Sequence, residues 1–334
     1  MIRFALLGCG RIGVMHAGIL ARLAETGLAR VYDIDEAAAA AVAKRHGAAA
    51  AASPAAAVEA ADVDAVLVAS ATPTHADFIE IAVRAGKPVL CEKPIDLDVG
   101  RVRACQEVVD AHPEVPVQIG FNRRFDPGHA AAFAALAAGE IGELLHAVIT
   151  SRDPGMPPRA YYEAAGGLLR DMTIHDFDLA RCCLGEEPAE VFAVAGRLCD
   201  PALMAEIDDH DSAMVILRTA GGKLCHINNT RAAVYGYDQR IELHGDRGMV
   251  ISDNNRGHNL AKYTKDATAS RAPLQHFFID RYLRSYELEI LAFVAAVKEK
   301  RPPSPGFADG LRALLLAEAA YRSVKSGKIE QIEA

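Results

Sequence analysis

Gly8-Cys9-Gly10-Arg11-Ile12-Gly13 joins an apolar run, Ile2–Leu7, to a helical pattern over Ile12–Ala24. In such a turn the first glycine permits the tight bend, the second lets a pyrophosphate approach the backbone, and the third lets the helix pack closely on the strand. Glycine turns between a strand and a helix are also common for packing reasons alone. A second feature is therefore needed before the turn indicates a dinucleotide site.

Asp33 supplies that feature. It ends the next apolar run and lies 20 residues beyond Gly13, the spacing at which a carboxylate accepts hydrogen bonds from the adenosine ribose hydroxyls. The same carboxylate repels a 2′-phosphate, and neither Arg nor Lys follows it immediately. The alternative is a structural turn with a capping Asp. The pattern favours an NAD site, formed by Gly8, Gly10, Arg11, Ile12, Gly13 and Asp33.

The first 120 residues alternate short apolar runs with helical stretches. The apolar runs are Ile2–Leu7, Leu28–Tyr32, Ala65–Ala69, Val89–Cys91 and Val115–Ile119. Short apolar strands separated by helices predict a mostly parallel sheet that is covered on both faces. We therefore expect an α/β Rossmann domain, which binds NAD, over residues 1–121.

The pattern changes after Phe121. Gly167–Leu184 is typical of one helix, the residues from Glu190 to Tyr263 favour strands, and helices near Tyr282–Lys298 and Phe307–Ser326 close the chain. We expect residues 122–334 to form an α+β domain with a largely antiparallel open sheet. Its C-terminal helix could pack back on the first domain.

Composition excludes several classes of function. A formal charge of −8 gives no electrostatic reason to expect nucleic acid or an anionic membrane surface, and neither a secretory signal nor an apolar run long enough for a membrane span is seen. The seven cysteines include no C-x-x-C pair, so we expect reduced thiols in the cytoplasm and no metal site. Asp208-Asp209-His210-Asp211 is interpreted as a polar turn before a strand.

Two further segments follow strands at the carboxyl edge of the predicted parallel sheet, where open α/β sheets bind ligands. Ala69-Ser70-Ala71-Thr72-Pro73-Thr74-His75 is the first, and a helix start with Pro73 and a Thr cap explains it equally well. His75 is open to a structural or a ligand-facing role. Glu92-Lys93-Pro94 is the second. A lone Lys on a loop is usually solvated, but this one lies beside the predicted cofactor cleft.

Asp171 and His175 are four residues apart and would share one face of the predicted helix. Asp176 and Asp178 would point elsewhere by the same geometry. A surface Asp–His pair is the ordinary interpretation of this spacing, so it gains meaning only in combination with other motifs.

That combination resembles the glucose–fructose oxidoreductase/inositol dehydrogenase/MocA family over nearly the whole chain. The resemblance rests on the glycine turn, Thr72-Pro73-Thr74-His75, Glu92-Lys93-Pro94 and Asp171…His175, which are weak alone and specific together. Within the family, Gly120–Asp126 and Tyr235–Asp238 are most similar to inositol 2-dehydrogenases.

The resemblance implies NAD-dependent oxidation of a cyclic polyol, myo- or scyllo-inositol, to the keto-inositol in a homotetramer built by face-to-face packing of the C-terminal sheets. It implies a catalytic trio in which His175 is the general base, assisted by Lys93 and Asp171. Further cofactor contacts are expected from Ser70, Thr72, Pro73, His75, Glu92 and Lys93. Substrate contacts are expected from Lys93, Arg123, Ser151, Asp153, Asp171, His175, Arg181 and Tyr235.

Three alternatives stay open. The first keeps the trio and changes the substrate to an aldose of the glucose type, oxidised at C1, to a rare sugar or to another inositol isomer. The residue types at Ser151 and Asp153 differ from those of some inositol enzymes. Arg181 could face the substrate, although a helix-surface Arg is the plainer interpretation. Some family members bind the dinucleotide as sensors without turnover, against which the presence of the trio argues. A reductase of unsaturated or imine bonds has less need of Asp171 and His175.

Overall fold

The computed structural model describes residues 1–333, apart from the side chain of Glu163. The chain groups into two compact units. The first contains Met1–Asn122 and Tyr286–Leu314, and the second contains Arg123–Ser285 and the residues from Leu315 onward. Tyr286–Leu314, which lies in the predicted second domain, thus groups with the first unit.

The first unit is built on a six-stranded parallel sheet with the strand order β3-β2-β1-β4-β5-β6. Its elements are β1 (Ile2–Leu7), α1 (Arg11–Arg22), β2 (Thr26–Tyr32), α2 (Glu36–His46), β3 (Ala49–Ala50), α3 (Pro54–Val58), β4 (Ala65–Val68), α4 (His75–Arg84), β5 (Val89–Glu92), α5 (Val99–Asp110) and β6 (Val117–Gly120). This order reverses between β1 and β4, and such a switch point is where doubly wound sheets bind dinucleotides.

The predicted Rossmann domain is confirmed. The central strand β4 is fully buried along its length, as expected for a parallel strand that is covered on both faces and has an unbroken apolar sequence. Helix starts follow local signals: Asp35 caps α2, Ser53 caps α3, and Asp98 caps α5.

The second unit is built on a seven-stranded sheet with the order β12-β11-β7-β10-β9-β8-β15. The elements after Phe121 are α6 (Pro127–Ala137), β7 (Leu144–Arg152), α7 (Arg159–Ala165), α8 (Leu168–Asp171), α9 (Thr173–Leu184), β8 (Pro188–Gly196), α10 (Pro201–Glu206), β9 (Ser212–Thr219), β10 (Leu224–Thr230), β11 (Asp238–Gly245), β12 (Gly248–Ser252), β13 (Ala261–Lys262), β14 (Ser270–Arg271), α11 (Phe278–Glu299), α12 (Phe307–Ser326) and β15 (Glu330–Gln331). All pairs in this sheet are antiparallel except β7 with β10. The predicted largely antiparallel sheet is confirmed.

The two faces of this sheet differ. Alternate residues of β9, from Ala213 to Thr219, are buried on the face that α9 covers, whereas Met214 and Ile216 on the other face are 53% and 42% exposed. Cross-strand register places Val194 opposite Met214 and Phe192 opposite Ile216. The open face therefore carries a group of neighbouring apolar side chains.

The single helix predicted over Gly167–Leu184 is wrong. Gly167 has φ +90° and lies outside the helix, and a turn at Met172 separates α8 from α9. Asp171 ends the first helix, and His175 lies in the first turn of the second. Spacing along one continuous helix therefore does not by itself place these two side chains on a shared face. The break is local, because Met172 keeps right-handed helical angles.

Several sequence expectations concern absences. No helix in residues 1–333 is long and apolar enough to cross a membrane. Over the same range, no group of three or more His, Cys, Asp or Glu side chains could hold a metal ion. All seven cysteines are free thiols. The cytoplasmic location stays a prediction.

The start of α6 holds a buried histidine. Asp126 caps this helix by accepting hydrogen bonds from the backbone N–H groups of Gly128 and His129, and it pairs with Arg281. The His129 Nδ1 atom lies 2.7 Å from the hydroxyl of Ser252. Burial lowers the pKa of His129 to about 3, although the Asp126 carboxylate works in the opposite direction. The folded protein therefore keeps this imidazole neutral under conditions in which the unfolded chain binds a proton.

His129→Gln should make the protein less sensitive to acid. Because the folded-state pKa is depressed, His129 lowers stability as the pH falls through 6.5 toward 3. The loss in unfolding free energy between pH 7 and pH 5, measured by urea denaturation, should be smaller in the variant by about 2 kcal/mol. Equal losses in wild type and variant would contradict the neutral, buried state of this ring.

Candidate active site

The glycine turn is held against the end of β4. Gly8 has φ +105°, and a Cβ atom there would overlap the backbone of Ala69 and Ser70. A Cβ atom at Gly13 would overlap the carbonyl oxygen of Gly8. The fold itself therefore requires the first and third glycines, the first for its backbone angles and both for close approach.

Gly10 is different, because no contact among the described residues requires it to be glycine. Its φ of −66° suits any residue, and no heavy atom lies within 4 Å of the point that a Cβ atom would occupy here. The space beside it belongs to a cavity of about 450 Å³. The cavity is bounded by Gly8, Gly10, Arg11, Ile12, Tyr32, Asp33, Ile34, Ala69, Ser70, Ala71, Thr74 and Phe78.

The start of α1 suits a phosphate at this cavity. No side chain caps the helix, and the first backbone N–H groups of a helix favour an anion. A glycine that is needed for neither backbone angles nor packing, set beside an uncapped helix start, fits a pyrophosphate that approaches the backbone closely.

Asp33 is fixed at the wall of the same cavity. Its carboxylate accepts hydrogen bonds from the backbone N–H of Cys9 at 2.6 Å and of Asp35 at 2.8 Å. Tyr32, Ile34 and Phe78 add apolar wall next to it, and Ile34 is 92% exposed. Sequence reasoning missed Phe78, which comes from α4 and carries no motif. The arrangement places a hydrogen-bonding carboxylate beside apolar surface, as an adenosine requires.

Some residues of the Ser70–His75 segment line the cavity, and the others lie outside it. Ser70 and Thr74 line the cavity, and their hydroxyl oxygens lie 2.6 Å apart, whereas Thr72 and Pro73 form a short turn outside its walls. His75 is buried, with Nδ1 2.7 Å from the carbonyl oxygen of Pro94 and Nε2 3.0 Å from that of Ser70. Burial lowers its pKa. Both ring nitrogens thus face backbone carbonyls rather than the cavity.

Glu92 and Lys93 lie where β5 ends. Both are half-buried, and one Glu92 carboxylate oxygen lies 2.7 Å from Nε2 of His16 on α1. The first unit thus places Lys93 at the same carboxyl edge of the sheet as the glycine turn. Its roles at the cofactor and the substrate stay predictions.

In the second unit, both carboxylate oxygens of Asp171 accept hydrogen bonds. Tyr161 donates to one at 2.9 Å, and Arg231 donates to the other at 2.7 Å. Arg231 also donates to Asp153 at 2.9 Å and is itself buried. Burial opposes its charge, but Asp171 and Asp153 outweigh that effect and raise the pKa of Arg231 above its usual value. One guanidinium therefore joins two of the predicted substrate residues.

A second network surrounds Arg123 and Ser151, both buried. Arg123 donates to the hydroxyl of Ser151 at 2.8 Å and to Asp176 at 2.7 Å. Asn229 donates to the other Asp176 oxygen at 2.7 Å, and Ser151 donates to Gln239 at 3.0 Å. Burial raises the pKa of Asp176 to about 6, against the charge of Arg123. Asp176, which the sequence places off the Asp171 face, thus connects to two predicted polyol contacts.

Arg181 and Tyr235 have other hydrogen-bond partners. Arg181 donates to both carboxylate oxygens of Glu187, at 2.8 and 2.6 Å, at the end of α9. The hydroxyl of Tyr235 donates to Asp238 at 2.7 Å and accepts from Arg152 at 2.8 Å. Their roles as substrate contacts stay predictions.

Sequence reasoning missed Arg231, Tyr161 and Asn229. Asp153 follows β7, and Arg231 follows β10, and these two strands run parallel with Asn229 beside Ser151. Because parallel strands end at the same edge, the residues after them come together. The alternating pattern of the strands in the sequence does not indicate that one pair, β7 and β10, runs parallel.

Comparisons with known proteins agree with this geometry. Residues 2–122 match the family described as "Oxidoreductase family, NAD-binding Rossmann fold", and residues 129–251 match "GFO/IDH/MocA C-terminal domain". The chain is 49% identical to the inositol 2-dehydrogenase of Rhizobium meliloti (strain 1021), over 97% of each chain.

Solved structures share the whole fold. The myo-inositol dehydrogenase of Corynebacterium glutamicum is 40% identical with a TM-score of 0.95, covering 100% of this chain and 99% of that one. The myo-inositol dehydrogenase of Lactobacillus casei, in complex with NAD(H) and myo-inositol, is 25% identical with a TM-score of 0.89, covering 100% and 97%. The chain belongs to the GFO/IDH/MocA oxidoreductase family and is an NAD-dependent dehydrogenase.

Gly10→Val should weaken NAD binding without unfolding the protein. The new side chain has room within the chain but fills the space at the start of α1, so the Kd for NAD, measured by calorimetry, should rise about tenfold or more, equivalent to at least about 1.4 kcal/mol. The melting temperature should stay that of wild type.

Gly13→Val is the matched control, because its side chain would overlap the carbonyl of Gly8. It should lower the melting temperature by several degrees, as overpacking at a close backbone contact does. Unchanged NAD affinity in a folded Gly10→Val protein would contradict the placement of the pyrophosphate.

Proposed function

We propose that this dehydrogenase oxidises one secondary alcohol of an inositol, myo- or scyllo-inositol, to the keto-inositol, with His175 as the general base. Relatives named inositol 2-dehydrogenase and myo-inositol dehydrogenase match over nearly the full chain and support this substrate class. The observation that carries the proposal is the Asp171–Arg231–Asp153 arrangement, whose Asp171 lies four residues before His175 and which offers polar groups for several hydroxyls.

The reaction needs a base. A secondary alcohol has too high a pKa to lose its proton unaided, so proton removal has to accompany loss of the hydride. Bound NAD supplies the hydride acceptor. An imidazole is suited to take the hydroxyl proton near neutral pH, and His175, in the first turn of α9, is partly exposed and can meet a ligand.

Lys93 and Asp171 have supporting roles in this proposal. Lys93 places positive charge where negative charge develops on the carbinol oxygen. Asp171, whose two oxygens are already held by Tyr161 and Arg231, is fixed in position and can accept a further hydrogen bond from a substrate hydroxyl. A carboxylate that is held in this way orients the ring without having to move.

Selectivity among isomers would come from the surrounding polar groups. A site built to hydrogen-bond a hydroxyl rejects an isomer in which that hydroxyl points elsewhere, since buried polar groups are then left unpaired. Asp153 and Arg231 are the first candidates, because the Arg231 guanidinium donates hydrogen bonds to both Asp153 and Asp171. Arg123, Ser151, Arg181 and Tyr235 complete the proposed set of substrate contacts.

His175→Ala should lower kcat about 10²- to 10⁴-fold, the usual contribution of a general base. The Kd for NAD should stay close to that of wild type. NADH formation at 340 nm with a panel of myo-inositol, scyllo-inositol and glucose tests both the residue and the substrate.

Each possible outcome of this panel bears on one part of the proposal. Wild-type turnover by the variant at neutral pH would contradict the role of His175. Glucose oxidation far faster than that of either inositol would replace the polyol with an aldose. Binding of NAD without turnover of any member would support a sensor instead.

We also propose that the chain forms a homotetramer in which the open face of the seven-stranded sheet meets a second copy. Phe192, Val194, Met214 and Ile216 are neighbours on that face and remain partly exposed. A contiguous apolar patch of this kind is a common mark of a protein–protein interface.

Ile216→Lys should break this assembly. A charge in the middle of an apolar interface is costly to bury, so light scattering should give the wild-type protein about four times the chain mass of 35.6 kDa and the variant less. Leu260→Lys, at an exposed apolar residue outside the sheet, is the control and should leave the mass unchanged. A monomeric wild-type protein would contradict the tetramer.

A further inference from the structure

Lys93 is flanked by two residues that are each tied to a buried histidine of the first unit. Glu92 precedes it, and the Glu92 carboxylate lies 2.7 Å from Nε2 of His16. Pro94 follows it, and its carbonyl oxygen lies 2.7 Å from Nδ1 of His75. The two histidines are 1% and 2% exposed.

His16 lies on the helix that begins at the glycine turn. It lies on α1, and its ring meets the edge of Tyr286 at a centroid distance of 5.4 Å. Its Nδ1 atom has no hydrogen-bond partner among the described residues. The bond to Glu92 is therefore the main polar contact of this ring.

The packing around Glu92 leaves room for its contact with His16. Gly120 ends the neighbouring strand β6, and a Cβ atom there would come within 3.1 Å of both the Cα and a carboxylate oxygen of Glu92. Contacts that close require the neighbour to move. Glycine at this position thus leaves the carboxylate room to reach His16.

His75 secures the other side. It begins α4 and spans from Pro94 to the carbonyl of Ser70, which lines the cofactor cavity. The residues on both sides of Lys93 thus contact helices that start at the cofactor edge of the sheet, Glu92 through its carboxylate and Pro94 through its carbonyl. A residue with a long, flexible side chain benefits from such anchoring, because a charge stabilises a developing oxyanion only if it is already in place.

We propose that His16 and His75 are positioning residues for Lys93, with His16 acting through Glu92 and His75 through the Pro94 carbonyl. This inference rests on the proposed role of Lys93 in the oxidation. Neither histidine touches the reacting atoms. Each acts by holding the residue next to the lysine.

The test is a double-mutant cycle on kcat. His16→Leu removes the donor to Glu92 and should lower kcat about 10- to 100-fold, the cost of a catalytic group displaced by about 1 Å. His16→Gln keeps a donor at a similar reach and should restore most of the loss. The Kd for NAD should be the same in all three proteins.

The Lys93→Met background separates positioning from general damage. If His16 acts through Lys93, then adding His16→Leu to Lys93→Met should cause no further loss of kcat, because the two effects are not independent. Additive losses, or a wild-type kcat in His16→Leu, would overturn the inference. The cycle applied to His75→Leu, with His75→Asn as the conservative variant, tests the second anchor in the same way.

Failure of the proposed function is recognised separately. A wild-type kcat in Lys93→Met alone would show that the lysine has no catalytic part, whatever the histidines do. If His16→Leu does not fold, His16→Asn, whose amide is too short to reach Glu92, takes its place against His16→Gln. Equal kcat in those two variants would then overturn the inference.

Discussion

The contact between Gly13 and the carbonyl of Gly8 is the constraint on which the first unit depends. Because neither residue has a side chain, α1 starts directly against the end of β1 and beside β4. That placement leaves the first N–H groups of the helix facing a cavity. It also determines where His16 lies, five residues into the same helix. One close backbone approach thus positions both the candidate cofactor cavity and His16, the proposed support for Lys93.

In the second unit, a different sheet likewise brings residues that are distant in sequence together at one edge. Its single parallel pair, β7 and β10, brings Asp153 and Arg231 to one edge, and Arg231 then links Asp153 to Asp171. Charges buried in this way are costly unless each is paired, and removal of one partner leaves the other uncompensated. The pairing therefore favours one arrangement of the carboxylates, which suits the proposed discrimination among inositol isomers.

Local signals made the first unit predictable from sequence. The glycines, the carboxylate 20 residues beyond Gly13 and the unbroken apolar strands each reflect a local geometric requirement, and together they predict a parallel sheet that binds a dinucleotide. The second unit depended on long-range pairing. Nothing near Arg231 in the sequence indicates that β10 runs parallel to β7, and the turn at Met172 interrupts an otherwise regular helical pattern. His16 was missed for the same reason, since its partner Glu92 lies 76 residues away.

The proposed reaction transfers a hydride from a carbinol carbon of an inositol to bound NAD. Incubation of the protein with NAD and myo-inositol deuterated at all six ring carbons, followed by mass spectrometry of the nicotinamide product, tests it directly. The NADH formed should carry one deuterium. Turnover that yields NADH without deuterium would contradict it.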